Sequence, residues 1–167
     1  TKKINQLYQY KVQSILDYGV EGKESEEDFQ RTENAIKEAI LFAKDNDAVD
    51  IVCSKFTGLI PFSILEKLHA NEVLTNKENE IYQAAKDRIY SISKLAFENN
   101  VSLFVDAEES WIQQPLDDLT FELMREFNKE KPIIYNTVQL YRKDRLQFLK
   151  DTVEKAKQAG FIYAAKL

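Results

Sequence analysis

The chain has 167 residues, 44% of them hydrophobic and 31% charged, with a formal net charge of -5. That length suits one domain with its own core, and the composition is that of a soluble globular chain rather than a disordered one. No apolar run approaches the roughly 20 residues of a membrane-spanning helix, and the acidic balance argues against a nucleic-acid partner, which would require a basic face.

Residues 1–13 read as a leading helix, and residues 14–167 as an alternation of short β-branched runs with longer helical ones. Ser14–Tyr18 is the first predicted strand. Ser25 is placed as an N-cap, with Glu26, Glu27 and Asp28 in the first turn where the helix dipole favours acids. Phe29, Ile36, Ile40 and Ala43 then recur at helical spacing, which predicts a helix over Glu26–Asp45. Asp50–Thr57 is the second strand. Pro61 opens a short helix through Ala70, and a longer one runs over Lys77–Asn99 with Ile81, Ala85, Ile89, Ile92 and Ala96 on one side.

Val101–Asp106 is the third strand. Pro115 begins a helix carrying Leu119, Leu123 and Phe127 on one face, and Pro132–Thr137 is the fourth strand. Asp144 is placed as the cap of a helix that Gly160 ends, and Phe161–Lys166 is the fifth strand. Strands that alternate with helices imply βαβ units and a parallel sheet. Both a (βα)-barrel and an open doubly wound sheet fit this alternation.

Cofactor and metal motifs of the common kinds are absent. Four glycines, at positions 19, 22, 58 and 160, cannot make a GxGxxG or phosphate-binding loop, which weakens a dinucleotide-binding reading. His69 is the one histidine and Cys53 the one cysteine, so neither a zinc site nor an internal disulfide can be assembled. Cys53 sits in an apolar run and is expected to be a buried, reduced thiol; His69 is expected at a helix end or surface. More telling is the placement of polar residues. Asp17, Lys55, Asp106, Gln139 and Lys166 each fall at or just past the C-terminal part of a strand, where barrel enzymes assemble their sites. From position alone, Lys55 could equally be a rim lysine, Asp106 a helix cap and Gln139 a polar loop residue.

Four segments together resemble the proline dehydrogenase family: LDYGVEGKE at Leu16–Glu24, VCSKFTGL at Val52–Leu59, LFVDAEESWIQQPLDDLT at Leu103–Thr120 and FNKEKPIIYNTVQLYRKD at Phe127–Asp144. The terminal GFIYAAKL resembles the start of that family's next strand. The resemblance implies α/β architecture: a partial (βα)8 TIM-type barrel of about five parallel strands with outer helices, occupying residues 1–167. It also implies FAD across the mouth of the barrel, oxidation of L-proline at C5 with hydride transfer to flavin N5, and a quinone as the final electron acceptor.

Carried over position by position, the resemblance gives Lys55 the role of neutralising the proline carboxylate. It sets Asp106, the aspartate of the DAE motif, beside flavin and substrate. Gln139 would bond the pyrimidine edge of the flavin. Glu21 would pair with a substrate-binding arginine further along a complete chain, with Asp17 as an outer partner on the same strand. Lys166 would stand close to flavin N5, where many relatives carry arginine, whose hydrogen-bonding geometry differs. Glu108 and Glu109 are expected to be solvated or structural.

The chain stops at Leu167 inside an apolar strand, so a truncated barrel is expected. This piece alone is expected to be inactive, to lose FAD and to associate through its open strand edges. A relative acting on a modified proline, as in carbapenem biosynthesis, is an alternative for the parent protein, and a non-catalytic fragment or interaction domain is another. The expected location is the bacterial cytoplasm, peripheral to the inner membrane, or the mitochondrion of a eukaryote.

Overall fold

Five parallel strands form one sheet in the computed structural model, which describes residues 2–20, 22 and 24–167. They are β1 (Ser14–Asp17), β2 (Val49–Ser54), β3 (Ser102–Val105), β4 (Ile134–Thr137) and β5 (Ala165–Lys166). Their spatial order is their order in sequence, β1-β2-β3-β4-β5, and every neighbouring pair is parallel. That order decides between the two architectures. A doubly wound sheet reverses its strand order at a switch point, whereas a barrel adds each strand beside the last. The sheet here never reverses, and is five strands of a barrel wall.

The helices are α1 (Lys2–Tyr8), α2 (Glu26–Lys44), α3 (Phe62–His69), α4 (Asn76–Glu98), α5 (Gln113–Phe127) and α6 (Arg145–Ala159). Local chemistry explains where they begin and end. The Ser25 side chain accepts from the Asp28 amide at 3.1 Å, which satisfies one of the free donors at the start of α2. Thr75 and Glu78 form a reciprocal capping box at the start of α4. Gly160 closes α6 in the left-handed region at φ 73°, a conformation that a side chain would penalise. Asp144 stands at the N-cap of α6 as expected, but its carboxylate makes no cap bond; it takes Arg142 instead.

Period-two burial sorts the strands' side chains between two faces. Val52, Leu103, Val105 and Ile134 point towards the helices and are fully buried among Ile36 and Ile40 of α2, Ile89 and Ile92 of α4 and Leu116 and Met124 of α5. At about 25 cal/mol per Å2 of apolar surface, this interlayer core supplies the main driving force for folding. The opposite face carries Phe104 and Tyr135, whose rings pack at 4.8 Å, and the half-open strand ends.

Two buried polar hubs tie the layers. Asn128, fully buried at the end of α5, donates to the carbonyls of Ile134 and Ile162 and accepts from the amides of Ile133 and Ile134, pinning β4 and the approach to β5. Asp117 of α5 accepts from Arg145 at 2.8 Å, Asn136 at 2.8 Å and Gln113 at 3.0 Å.

Every strand is shorter than the run expected for it, β2 and β5 most clearly. β2 ends at Ser54 because residues 56–58 turn into a short 3-10 helix, and the fifth run pairs only at Ala165–Lys166. No helix among the described residues is long and apolar enough to cross a membrane.

Candidate active site at the strand ends

Register fixes which side chains share the face opposite the helices. Asp17 lies opposite Cys53, Cys53 opposite Phe104, Phe104 opposite Tyr135, and Thr137 opposite Lys166. Lys55, Asp106, Thr137 and Gln139 follow two or four residues later on the same parity, so they continue this face beyond the strand ends.

The centre of the cluster is Asp106. Its amide donates to the Ser54 carbonyl at 2.9 Å, which carries the β2–β3 ladder one step past β3. Its carboxylate forms an ion pair with the Lys166 ammonium and accepts from the Thr137 hydroxyl at 3.4 Å. Lys166 Nζ also lies 4.0 Å from Cys53 Sγ. The pair is half open: 36% of the Lys166 side chain and 17% of the Asp106 side chain remain accessible.

Electrostatics follow from this grouping. Partial burial works against the Lys166 ammonium, but the bond to Asp106 and the nearby carboxylates of Asp106 and Asp17 outweigh it and raise its pKa. Burial first, then the carboxylate of Asp106, pushes the Cys53 thiol up to about 12. The thiol is therefore neutral and a poor nucleophile at ordinary pH, as expected for a buried cysteine.

Gln139 and Lys55 meet the cluster through Glu108. Gln139 Nε2 donates to the Glu108 carbonyl at 2.9 Å, and Gln139 Oε1 accepts from Arg142 at 3.4 Å. The Glu108 carboxylate accepts from both the amide and the hydroxyl of Thr57, two residues after Lys55. Burial raises the Glu108 pKa against the pull of those bonds and of the Lys55 charge. Glu109 is exposed, as expected for a solvated carboxylate, but Glu108 is a half-buried hub.

Asp17, Asp106 and Lys166 thus converge directly, and Lys55 and Gln139 join them through the loop after β3. Glu21 lies outside the described residues. Sequence reasoning missed Thr137, Thr57 and the neighbourhood of Cys53. Thr137 could have been found from the strand parity it shares with Gln139. The Thr57–Glu108 bond spans 51 positions and left no local signal. No cluster of potential metal ligands occurs among the described residues.

A sequence model described as "Proline dehydrogenase" matches residues 1–167, from one end of this arrangement to the other. The chain belongs to the proline dehydrogenase family. Members of this family are flavin-dependent. Among its relatives, the carbapenem antibiotics biosynthesis protein CarD of Pectobacterium carotovorum is 28% identical over 153 residues, covering 92% of this chain and 41% of that protein. The mitochondrial proline dehydrogenase 1 of Dictyostelium discoideum is 29% identical over an alignment of 198 residues, covering 96% of this chain and 34% of that protein. The proline utilization A protein of Bdellovibrio bacteriovorus, whose crystal structure was solved after inactivation by N-propargylglycine, superposes with a TM-score of 0.79. It is 20% identical and is matched over 98% of this chain and 18% of its own, which supports the barrel assignment. The chain therefore spans less than half the length of either curated relative.

The donor set of this family member suits a flavin. After its two bonds, Gln139 keeps one N–H and one oxygen lone pair, enough for a complementary bond pair to a ring edge that both donates and accepts. Lys166 offers an accessible positive charge on the same face.

Proposed function

We propose that the protein containing this segment oxidises L-proline to 1-pyrroline-5-carboxylate with FAD, at the strand ends. The observation that carries the proposal is the half-open Lys166–Asp106 pair at the rim of a barrel wall whose whole length matches the family. When bound, FAD supplies the two-electron acceptor for the hydride lost from C5 of proline, while the ring nitrogen gives up a proton.

Each residue then has a definable task. Lys55 offers an ammonium to the proline carboxylate. Asp106, with Asp17 behind it, keeps Lys166 protonated, so a fixed positive charge faces the place where negative charge arrives. Thr137 donates to Asp106 and limits its rotation. Gln139 presents its remaining donor and acceptor to the flavin ring edge, and Glu21 would pair with an arginine further along a complete chain. Electrons leave for a quinone, which fits a protein resting on the inner membrane of a bacterium or mitochondrion.

The extensive match to CarD favours one second reading, a ring-substituted proline as substrate. Both are tested by giving the full-length protein an artificial electron acceptor with L-proline or with a ring-substituted proline, a pyrrolidine-2-carboxylate bearing a further group on its ring. Faster turnover of L-proline supports the first reading. Preference for the substituted ring supports the second, and turnover of neither, with flavin bound, overturns both.

A further inference from the structure

The loops that follow the first four strands are fastened to one another in series, and Glu108 is the central link. A Cβ on Gly58 would lie 2.6 Å from the Val20 carbonyl oxygen, so the 3-10 turn at residues 56–58 presses directly on the chain leaving β1. Thr57 in that turn is 2% exposed, and both its amide and its hydroxyl bond the Glu108 carboxylate. The backbone of Glu108 is held in turn: its amide donates to Gln113 Oε1 at 2.8 Å and its carbonyl accepts from Gln139 at 2.9 Å. One residue therefore joins the turn after Lys55 to the loop bearing Asp106 and to the side chain of Gln139.

We infer that Glu108 is a positioning residue, setting Lys55 through Thr57 and Gln139 through its own carbonyl; this rests on the proline-oxidation reading of the same site. Lys55 has extended backbone geometry and directly precedes the turn, so the direction of its side chain is inherited from the turn's anchoring. A carboxylate suits this task better than a neutral group. Its two oxygens accept the two Thr57 donors together, and its charge attracts the Lys55 ammonium. The carboxylate also ties the segment from Asp106 to Ile112 to the turn through these two bonds.

The test uses full-length protein and tetrahydrofuran-2-carboxylate, a proline analogue whose ring oxygen cannot become an imine nitrogen. Its binding is read from the flavin absorbance, and hydrogen exchange is followed at Phe56–Gly58. Glu108→Ala should speed exchange there and weaken the probe about tenfold or more, the usual scale for losing one charge-assisted contact. KM for proline should rise more than kcat falls. Glu108→Gln should recover part of the affinity, Thr57→Val should fall between the two, and Glu109→Ala should match wild type. Faster exchange with unchanged probe affinity in Glu108→Ala would overturn the inference by reducing Glu108 to a structural anchor. If Glu108→Ala fails to fold, wild-type affinity in both Glu108→Gln and Thr57→Val does the same. A wild-type protein that binds flavin but neither the probe nor proline overturns the proline reading itself, a result distinct from failure of the variants alone.

Discussion

The sheet carries an aspartate–cation pair on each of its two faces. On the helix side, Asp117 and Arg145 leave 1% and 4% of their side chains accessible. Asp117 also takes Asn136 and Gln113, Arg145 lies 3.7 Å over the Phe148 ring, and Asn136 reaches the Tyr163 hydroxyl at 3.3 Å. Burial pushes that hydroxyl up to about 12, so it stays protonated. At the strand ends, Asp106 and Lys166 make the same kind of contact with 17% and 36% accessible. The first pair is almost fully buried and multiply bonded, with Arg145 Nε left lacking a hydrogen-bond partner, so its charges hold structure. The second leaves its cation exposed to whatever binds the rim. Chemical type is the same in both; the number of partners and the access of solvent separate scaffold from site.

Breaking the dry pair should have the largest effect. Arg145→Met leaves a buried carboxylate without its cation and should cost about 3–5 kcal/mol of stability, read as a lower urea midpoint. Asp117→Leu combined with Arg145→Met should cost less than the two single changes summed, because no lone charge remains. Equal, small losses in all three variants would remove the distinction between the two faces.

The open pair should invert that pattern. Lys166→Met should change stability by no more than about 1 kcal/mol, because the pair is partly solvated. It should nevertheless lower proline turnover on the order of a hundredfold, the scale for losing one preorganised charge near a reacting centre. A large drop in the urea midpoint with normal turnover would make this pair a second scaffold.

Lys55→Ala sharpens the comparison along the rim. It should weaken a proline-like carboxylate about tenfold to a hundredfold while leaving flavin content unchanged. Titration of the flavin spectrum reads both quantities, and unchanged affinity would remove Lys55 from the substrate site.

Cys53 reports on the boundary between the faces and should give the smallest effect. Its folded pKa of about 12 lies above the ordinary thiol value of 9.0, so the folded state favours the neutral thiol. The stability this contributes is intact below 9 and is lost as pH rises from 9 towards 12. Urea midpoints should therefore fall as pH rises from about 9 towards about 12, and less so in Cys53→Ala. Asp106→Asn removes one cause of the raised pKa and should speed thiol alkylation; an unchanged rate would separate Cys53 from the cluster.

Much of this could be read in the chain because it is local. The Ser25 cap, the helical spacing of Ile36 and Ile40 and the Gly160 stop each act within a few residues. Strand-end placement also anticipated that Asp17, Asp106 and Lys166 share one rim, because parallel strands in sequence order bring their ends together. The dry hub was illegible: Asp117 meets Asn136 and Arg145 across 19 and 28 positions, and in sequence it is one more acid in an amphipathic helix. Glu108 was underrated for the same reason, since its partner Thr57 belongs to another loop. The apolar run of the fifth strand overstates its pairing because Phe161 is spent on the core and Ile162 on bonds to Asn128.

The most direct measurement is anaerobic mixing of L-proline with the flavin-loaded full-length protein, in wild type and in Lys166→Met, followed by flavin absorbance. The open rim pair predicts rapid bleaching in wild type and bleaching slowed on the order of a hundredfold in the variant at equal flavin content. Bleaching at the same rate in both, or none in wild type, would contradict the assignment of the chemistry to this face.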